Sequence, residues 1–207
     1  MTQAKQKPTT LTFEAYLDYD DGTDILYELV DGELQAMTPV DPEHSDIVDF
    51  LYDLFKEIVK RTDKDWKIKQ LGVGFRTSLK KSRLPDVCII KGEDWRALKL
   101  RKAKSAVLEV PLVLAVEVVS PYRNRGEKNY IRDYVHKWEE YAKRQVPEYW
   151  IIDPQASKVT VLVLDENTCQ YPKIEKITPL RGNDLIKSSI KEITDLNLTA
   201  EQILSAR

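Results

Sequence analysis

The sequence predicts an α/β fold in which a mixed β-sheet is flanked by helices and preceded by a β-hairpin. Three observations carry this expectation. Residues 112–119 are apolar except for Glu117, as in a central strand covered on both faces. Ile47, Leu51, Leu54 and Ile58 recur at helical spacing with Val48, Phe55 and Val59 beside them, which makes one buried stripe of an amphipathic helix. Asp31-Gly32 separates two short strand-like runs, and such a pair suits the positive φ angles of a tight hairpin turn.

The elements follow in order. Residues 1–10 read as a disordered N-terminus, and 11–18 as a short helix. Residues 25–30 and 33–37 form the hairpin. Asp41-Pro42 starts the first long helix, with a capping carboxylate followed by a proline at the first helical position. Three strands are expected next, over 71–79, 84–90 and 112–119. A helix over 129–144 takes its apolar side from Ile131, Tyr134, Val135, Trp138, Tyr141 and Ala142, and Pro147 lies just beyond it. Residues 148–152 read as a buried strand, and after the turn at Asp153-Pro154, 159–164 reads as its hairpin partner. The unit from 112 to 152 should be a right-handed parallel crossover. A further strand is expected over 185–190, then a short helix after Thr199, with Gln202 placed for a capping box. We therefore expect a single domain over 11–207, with a core of about 25–165 and a C-terminal extension over 166–207.

Composition excludes several classes. Apolar residues make up 42% and charged residues 32% of the 207, a balance typical of globular proteins and not of disordered ones. No apolar run reaches the roughly 20 residues needed to cross a bilayer, so no membrane partner is expected. The lysines near the N-terminus have no apolar stretch behind them, unlike a secretory signal. Cys88 and Cys169 lack metal-ligand spacing and form no disulfide framework, so a reducing, cytoplasmic setting is expected. The net charge of −2 argues against nucleic-acid binding through bulk charge. Local charge differs: Lys80, Lys81 and Arg83 form one basic group, Lys99, Arg101, Lys102 and Lys104 a second, and Arg123, Arg125, Lys128 and Arg132 a third.

Two acids stand out. Glu117 is the sole charge in its apolar run, and burying an unpaired carboxylate costs several kcal/mol. It is either a strand-end carboxylate paired with an arginine or a metal ligand. Asp86 repeats the pattern at the start of Val87-Cys88-Ile89-Ile90, and is either a turn-forming residue after Pro85 or a second ligand. If the two strands pair, both carboxylates meet at one sheet edge. Two carboxylates with open positions suit Mg²⁺, which takes oxygen ligands and keeps several waters.

Pro85-Asp86, followed about 30 residues later by Glu117, resembles the PD-(D/E)XK pattern. The match sharpens along the chain. Tyr27-Glu28-Leu29-Val30-Asp31-Gly32-Glu33, His44, Arg83-Leu84-Pro85-Asp86-Val87 and Glu117-Val118-Val119-Ser120-Pro121 occur in order. They are followed by Asp133, Lys137 and Tyr141, and by Val146-Pro147-Glu148-Tyr149-Trp150-Ile151-Ile152-Asp153-Pro154. The ordered set, spanning residues 11–165, resembles the restriction-endonuclease family abundant in cyanobacteria, within the PD-(D/E)XK nuclease superfamily. That resemblance implies a restriction-endonuclease-like three-layer core, hydrolysis of DNA phosphodiester bonds, Mg²⁺ or Mn²⁺ bound by Asp86 and Glu117, and DNA as partner. The superfamily lysine expected two residues after Glu117 is Val119 here. The resemblance implies replacement from the next helix by Lys137, which shares a face with Asp133 and Tyr141 at i, i+4, i+8 spacing. An ordinary ion pair between Asp133 and Lys137 would fit the same spacing. Glu28, Glu33, His44, Asp133 and Tyr141 are accessory candidates, and Lys99, Arg101, Lys102, Arg123 and Arg125 are candidates to grip the DNA backbone. Glu148 and Asp153 are expected to be structural, and His136 has no supporting pattern. A homodimer is expected of a nuclease that cuts both strands. The alternatives are an inactive nuclease-fold module that binds nucleic acid or a protein, and an enzyme acting on RNA or a mobile-element junction.

Overall fold

The computed structural model describes residues 10–194 and 196–206. The segment expected to be disordered lies outside the described residues except for Thr10, which is exposed.

α1 (Phe13–Leu17) is capped by Thr12, whose hydroxyl accepts from the N–H of Ala15 at 3.1 Å. β1 (Tyr27–Val30) and β2 (Glu33–Ala36) form the hairpin. Its turn residues, Asp31 and Gly32, have φ of 52° and 87°, the two positive angles of a type I′ turn. α2 (Pro42–Lys60) is capped by Asp41, which accepts from the N–H of His44 at 3.0 Å.

The middle of the chain departs from expectation. The strand expected over 71–79 is β4 (Gly74–Ser78), because Leu71 and Gly72 turn through φ of 45° and 79°. Ahead of that turn lies an unanticipated strand, β3 (Trp66–Gln70). The strand expected over 84–90 begins only at Val87, as β6 (Val87–Lys91), and an unanticipated short strand, β5 (Lys81–Arg83), precedes it in the other sheet. Leu84-Pro85-Asp86 carries the chain across, and Pro85 suits the break because it has no N–H for a ladder. α3 (Gly92–Lys99) and β7 (Val107–Leu108) were also unanticipated.

β8 (Leu114–Val118) is joined to β9 (Glu148–Asp153) through α4 (Lys128–Ile131), a π-helical turn (Arg132–His136) and α5 (Lys137–Lys143). β8 and β9 pair in parallel with Leu114 opposite Glu148. β10 (Lys158–Val163) returns antiparallel to β9. The segment over 185–190 is not a strand. Leu185 makes an isolated bridge with Thr199, and Ile186 donates to the carbonyl of Leu198 at 2.8 Å. α6 (Ala200–Leu204) begins with the Thr199–Gln202 capping box.

The single expected sheet is two five-stranded mixed sheets, β10-β9-β8-β6-β3 and β2-β1-β5-β4-β7. On one face of the first, Val87, Ile89, Val116 and Trp150 pack against Leu51 and Phe55 of α2 and Ile203 of α6. On the other, Cys88, Ala115 and Ile151 pack against Tyr134, Tyr141 and Ala142 of the crossover helix and Phe75 of the second sheet. Ile186, Ile193, Leu198 and Ile203, beyond residue 165, belong to the same core. Among the described residues no helix is long and apolar enough to cross a membrane.

Candidate active site

The two acids meet because of strand register. β6 and β8 pair antiparallel with Val87 opposite Val116, so one step further places Asp86 opposite Glu117. Side chains alternate along a strand, and both acids therefore share the face that carries Cys88 and Ala115, beneath the crossover helix. Asp86 is 4% exposed and Glu117 2%. Asp86 Oδ2 accepts from the N–H of Val118 at 2.7 Å, and its Oδ1 is 3.1 Å from His44 Nε2. Glu117 Oε1 accepts from the Tyr141 hydroxyl at 2.6 Å, and Lys137 Nζ lies 2.6 Å from Oε2.

The helix delivers its lysine through an irregular turn. Lys137 N–H donates to the carbonyl of Arg132, an i to i+5 bond of the kind that often marks functional sites. Asp133, Lys137 and Tyr141 all face inward, and the lysine is 2% exposed. Lys137 Nζ is also 3.4 Å from Asp133 Oδ1 and 3.8 Å from Glu28 Oε1. Arg132 grips Asp133 through Nε at 2.9 Å and Nη2 at 3.0 Å, and reaches Ser120 Oγ at 3.2 Å. Arg83, fully buried, donates to Glu28 at 2.9 Å and to both oxygens of Glu140 at 2.7 and 2.8 Å.

Four carboxylates, Glu28, Asp86, Glu117 and Asp133, thus share Lys137, Arg132 and part of Arg83. The imbalance shows in their ionisation. Burial raises the Glu117 pKa to about 8, with Asp86 and Asp133 adding to the rise and Lys137 opposing it. Burial also works against the Asp86 carboxylate, but His44, Lys137 and the Val118 N–H hold its pKa below the usual range. Glu28 is likewise depressed, Lys137 and Arg83 prevailing over burial. Burial alone would lower the Lys137 pKa; Glu117, Asp133 and Glu28 raise it instead, so the lysine stays charged.

A cleft of about 400 Å³ opens onto this cluster, lined by Glu28, His44, Asp86, Glu117, Arg132 and Lys137 among others. Glu33 lies elsewhere, exposed on β2. The first group of expected DNA contacts is also apart from the cleft lining: Arg101 is held by Glu109 at 2.8 Å and by the Val107 carbonyl at 3.0 Å, and Lys99 and Lys102 are exposed. Arg123 and Arg125 are exposed in the loop after Pro121, which does line the cleft. Glu148 accepts from Trp150 Nε1 at 2.6 Å and from Ser189, and Asp153 accepts from two tyrosines, so both hold structure together. His136 is exposed.

Sequence reasoning did not single out Arg132 as a site residue, nor the Arg83–Glu140 pair or Ser120. The available signal was Arg83 beside Pro85-Asp86, a cation where the chain turns inward.

The donor set suits a hard cation. Asp86 and Glu117 bring carboxylate oxygens together on adjacent strands, and the buried His44 Nε2, 3.1 Å from Asp86 Oδ1, steadies the first of them. The surplus of carboxylates favours a divalent charge. Among the described residues no three His, Cys, Asp or Glu form a ready cage. Mg²⁺ does not require one, being commonly held by one or two carboxylates, waters and substrate phosphates.

Residues 13–198 match the Uma2 family, described as “Putative restriction endonuclease”. No curated protein matches. Among solved structures, one described as a putative nuclease from Anabaena variabilis superposes with a TM-score of 0.63 at 14% identity, covering 88% of this chain and 92% of that one. At that identity the likeness shows a shared fold.

Proposed function

The chain belongs to the Uma2 “Putative restriction endonuclease” family, and on that premise we propose that it is a divalent-metal-dependent endonuclease hydrolysing DNA phosphodiester bonds. The observation that carries this reading is the meeting of Asp86 and Glu117 on adjacent strands, with the charged amine of Lys137 2.6 Å from Glu117. Asp86 and Glu117 would hold Mg²⁺ or Mn²⁺, which when bound supplies Lewis acidity to phosphate and water.

The chain's own groups divide the remaining work. Lys137 is held protonated, so it cannot act as the base at neutral pH; it stabilises negative charge developing on the phosphate. The Tyr141 hydroxyl and Lys137 fix the orientation of Glu117, and the Val118 N–H fixes that of Asp86. Arg132, tethered by Asp133, points a guanidinium at the cleft where a phosphate oxygen would lie. None of Lys99, Arg101, Lys102, Arg123 and Arg125 is among the residues lining the cleft; Arg123 and Arg125, exposed in the loop that follows the lining residue Pro121, would hold the backbone beyond it. Cutting both strands would take two such clefts, which a symmetric dimer supplies.

One observation favours a second reading, a binding module without catalysis: the Lys137 amine, 2.6 Å from Glu117, already takes a place beside the carboxyl that a bound cation would need. Calorimetric titration with Mg²⁺ and Mn²⁺ separates the two. The nuclease reading expects binding that Asp86→Asn removes. Cleavage of supercoiled plasmid in Mg²⁺ tests the chemistry. Glu117→Gln should lower the rate by about a hundredfold or more with the folded state retained, and unchanged activity in that variant would sink the proposal.

A further inference from the structure

The segment that walls the catalytic cleft has a second functional face. Asn129 and Arg132 line the first cleft. Arg125, Tyr130 and Tyr134 line another of about 400 Å³, completed by Lys158 and Thr160 of β10 and by residues 174–179. Tyr130, half-exposed, stacks on Tyr134 with ring centroids 4.3 Å apart and planes 20° apart, and meets Tyr122 edgewise at 5.2 Å. Asp153 Oδ2 pins this stack by accepting from the hydroxyls of Tyr122 and Tyr134, each at 2.8 Å.

Lys158 is the unsatisfied member. It is 9% exposed, and its Nζ lies 4.5 Å over the Tyr134 ring. Its nearest carboxylate oxygen is Asp153 Oδ2 at 3.8 Å, an atom that already accepts two phenols. Among the described residues the amine makes no hydrogen bond. An ammonium offers three donors, and since the amine lines the cleft they are available to a ligand there. Burial lowers its pKa, and the positive charges of Arg125 and Arg181 add to that against Asp153. Arg125 is exposed and has no ion pair among the described residues. The one acid in the lining is Glu175.

Open cationic donors beside stacked aromatic rings are what a phosphate joined to a planar base requires. We propose that this cleft binds one nucleotide unit of single-stranded DNA, with its phosphate between Arg125 and Lys158 and its base against the Tyr130–Tyr134 stack. The choice of DNA rests on the nuclease reading. One helical segment separates the two clefts, so a strand leaving the acidic cluster would cross it to reach the second. The paired strand of a duplex cannot offer a base face to the stack, so the site is selective for unpaired or frayed DNA.

Fluorescence anisotropy with a short labelled single-stranded oligonucleotide of mixed sequence, in EDTA so that no cleavage occurs, tests this. Arg125→Ala, Lys158→Met and Tyr130→Ala should each weaken binding by about tenfold or more. Each cation removed should also reduce the slope of log affinity against log salt by about 0.7. Lys60→Met, at an exposed lysine paired with Glu57 on α2, controls for bulk charge and should change affinity less than about twofold. Thermal unfolding of each variant confirms that it folds. Affinities that match wild type, or that fall no further than in Lys60→Met, overturn the inference, as does a wild type that does not bind the oligonucleotide. Plasmid cleavage by Glu117→Gln bears on the nuclease reading alone. If that variant cuts while the three cleft variants lose affinity, the catalytic proposal fails and the binding site stands.

Discussion

Glu117 and Lys137 are 2.6 Å apart and buried, in a cluster with more carboxylates than cations. The consequence is a proton that folding takes up. The Glu117 carboxyl, ordinarily near 4.5, is raised to about 8 by burial and by Asp86 and Asp133. Across that window the folded chain keeps a proton that the unfolded chain has released, so stability of the metal-free protein falls as pH rises. Calorimetry in EDTA should show a melting temperature that declines from about pH 5 to pH 8, with Glu117→Gln flattening the decline. A rise over the same interval would contradict it. Because ligands must be deprotonated, Mg²⁺ affinity should climb with pH over this range and level off above it. Arg83 offers a second test. Arg83→Leu takes from Glu28 and Glu140 their closest cation, leaving among the described residues only Lys137 at 3.8 Å and Lys81 at 3.5 Å, at a cost of about 3–5 kcal/mol, measurable by denaturant titration. Asp86 and Glu117 were legible as lone acids in apolar runs. Arg83, Arg132 and Glu140 were not, because a charge on a helix or a short strand looks the same in sequence whether solvent or a buried partner satisfies it.

At the scale of elements, the parts with local chemical marks were legible. The Asp31-Gly32 turn, the Asp41 cap and the Thr199–Gln202 box are each written in two or three adjacent residues, and each forms. Asp41→Ala should cost about 1 kcal/mol in chemical unfolding. It should also loosen the first turn of α2, where Asp41 holds the N–H of His44; a loss under a few tenths of a kcal/mol would mean the cap is not needed. The passage of the chain from β5 in one sheet to β6 in the other was not legible, since Lys81-Ser82-Arg83 carries no apolar pattern and the run after Asp86 reads alike in one sheet or two. The π turn at Arg132–His136 leaves no trace in residue pattern either, because it is a matter of which carbonyl Lys137 finds.

Across the whole molecule the α/β class was legible and the division into two sheets was not. The pairing of β4 with β7 and of β1 with β5 depends on contacts far apart in sequence and only a residue or two long. The chain after residue 165 is part of the core, and Ile203 of α6 is fully buried against α2 and the first sheet. Ile203→Ala should therefore cost about 2–5 kcal/mol, as in any core helix, and a value near zero would show that the C-terminal part is dispensable. The ion network also spans the two sheets. Arg83 and Glu28 come from one, Asp86 and Glu117 from the other, and Lys137 and Glu140 from the helix between them. Loss of one member leaves its direct partners buried with fewer counter-charges. A descendant with no use for the cleft would still be under pressure to keep these charges in order to fold, so their persistence in a lineage would testify to architecture as much as to chemistry.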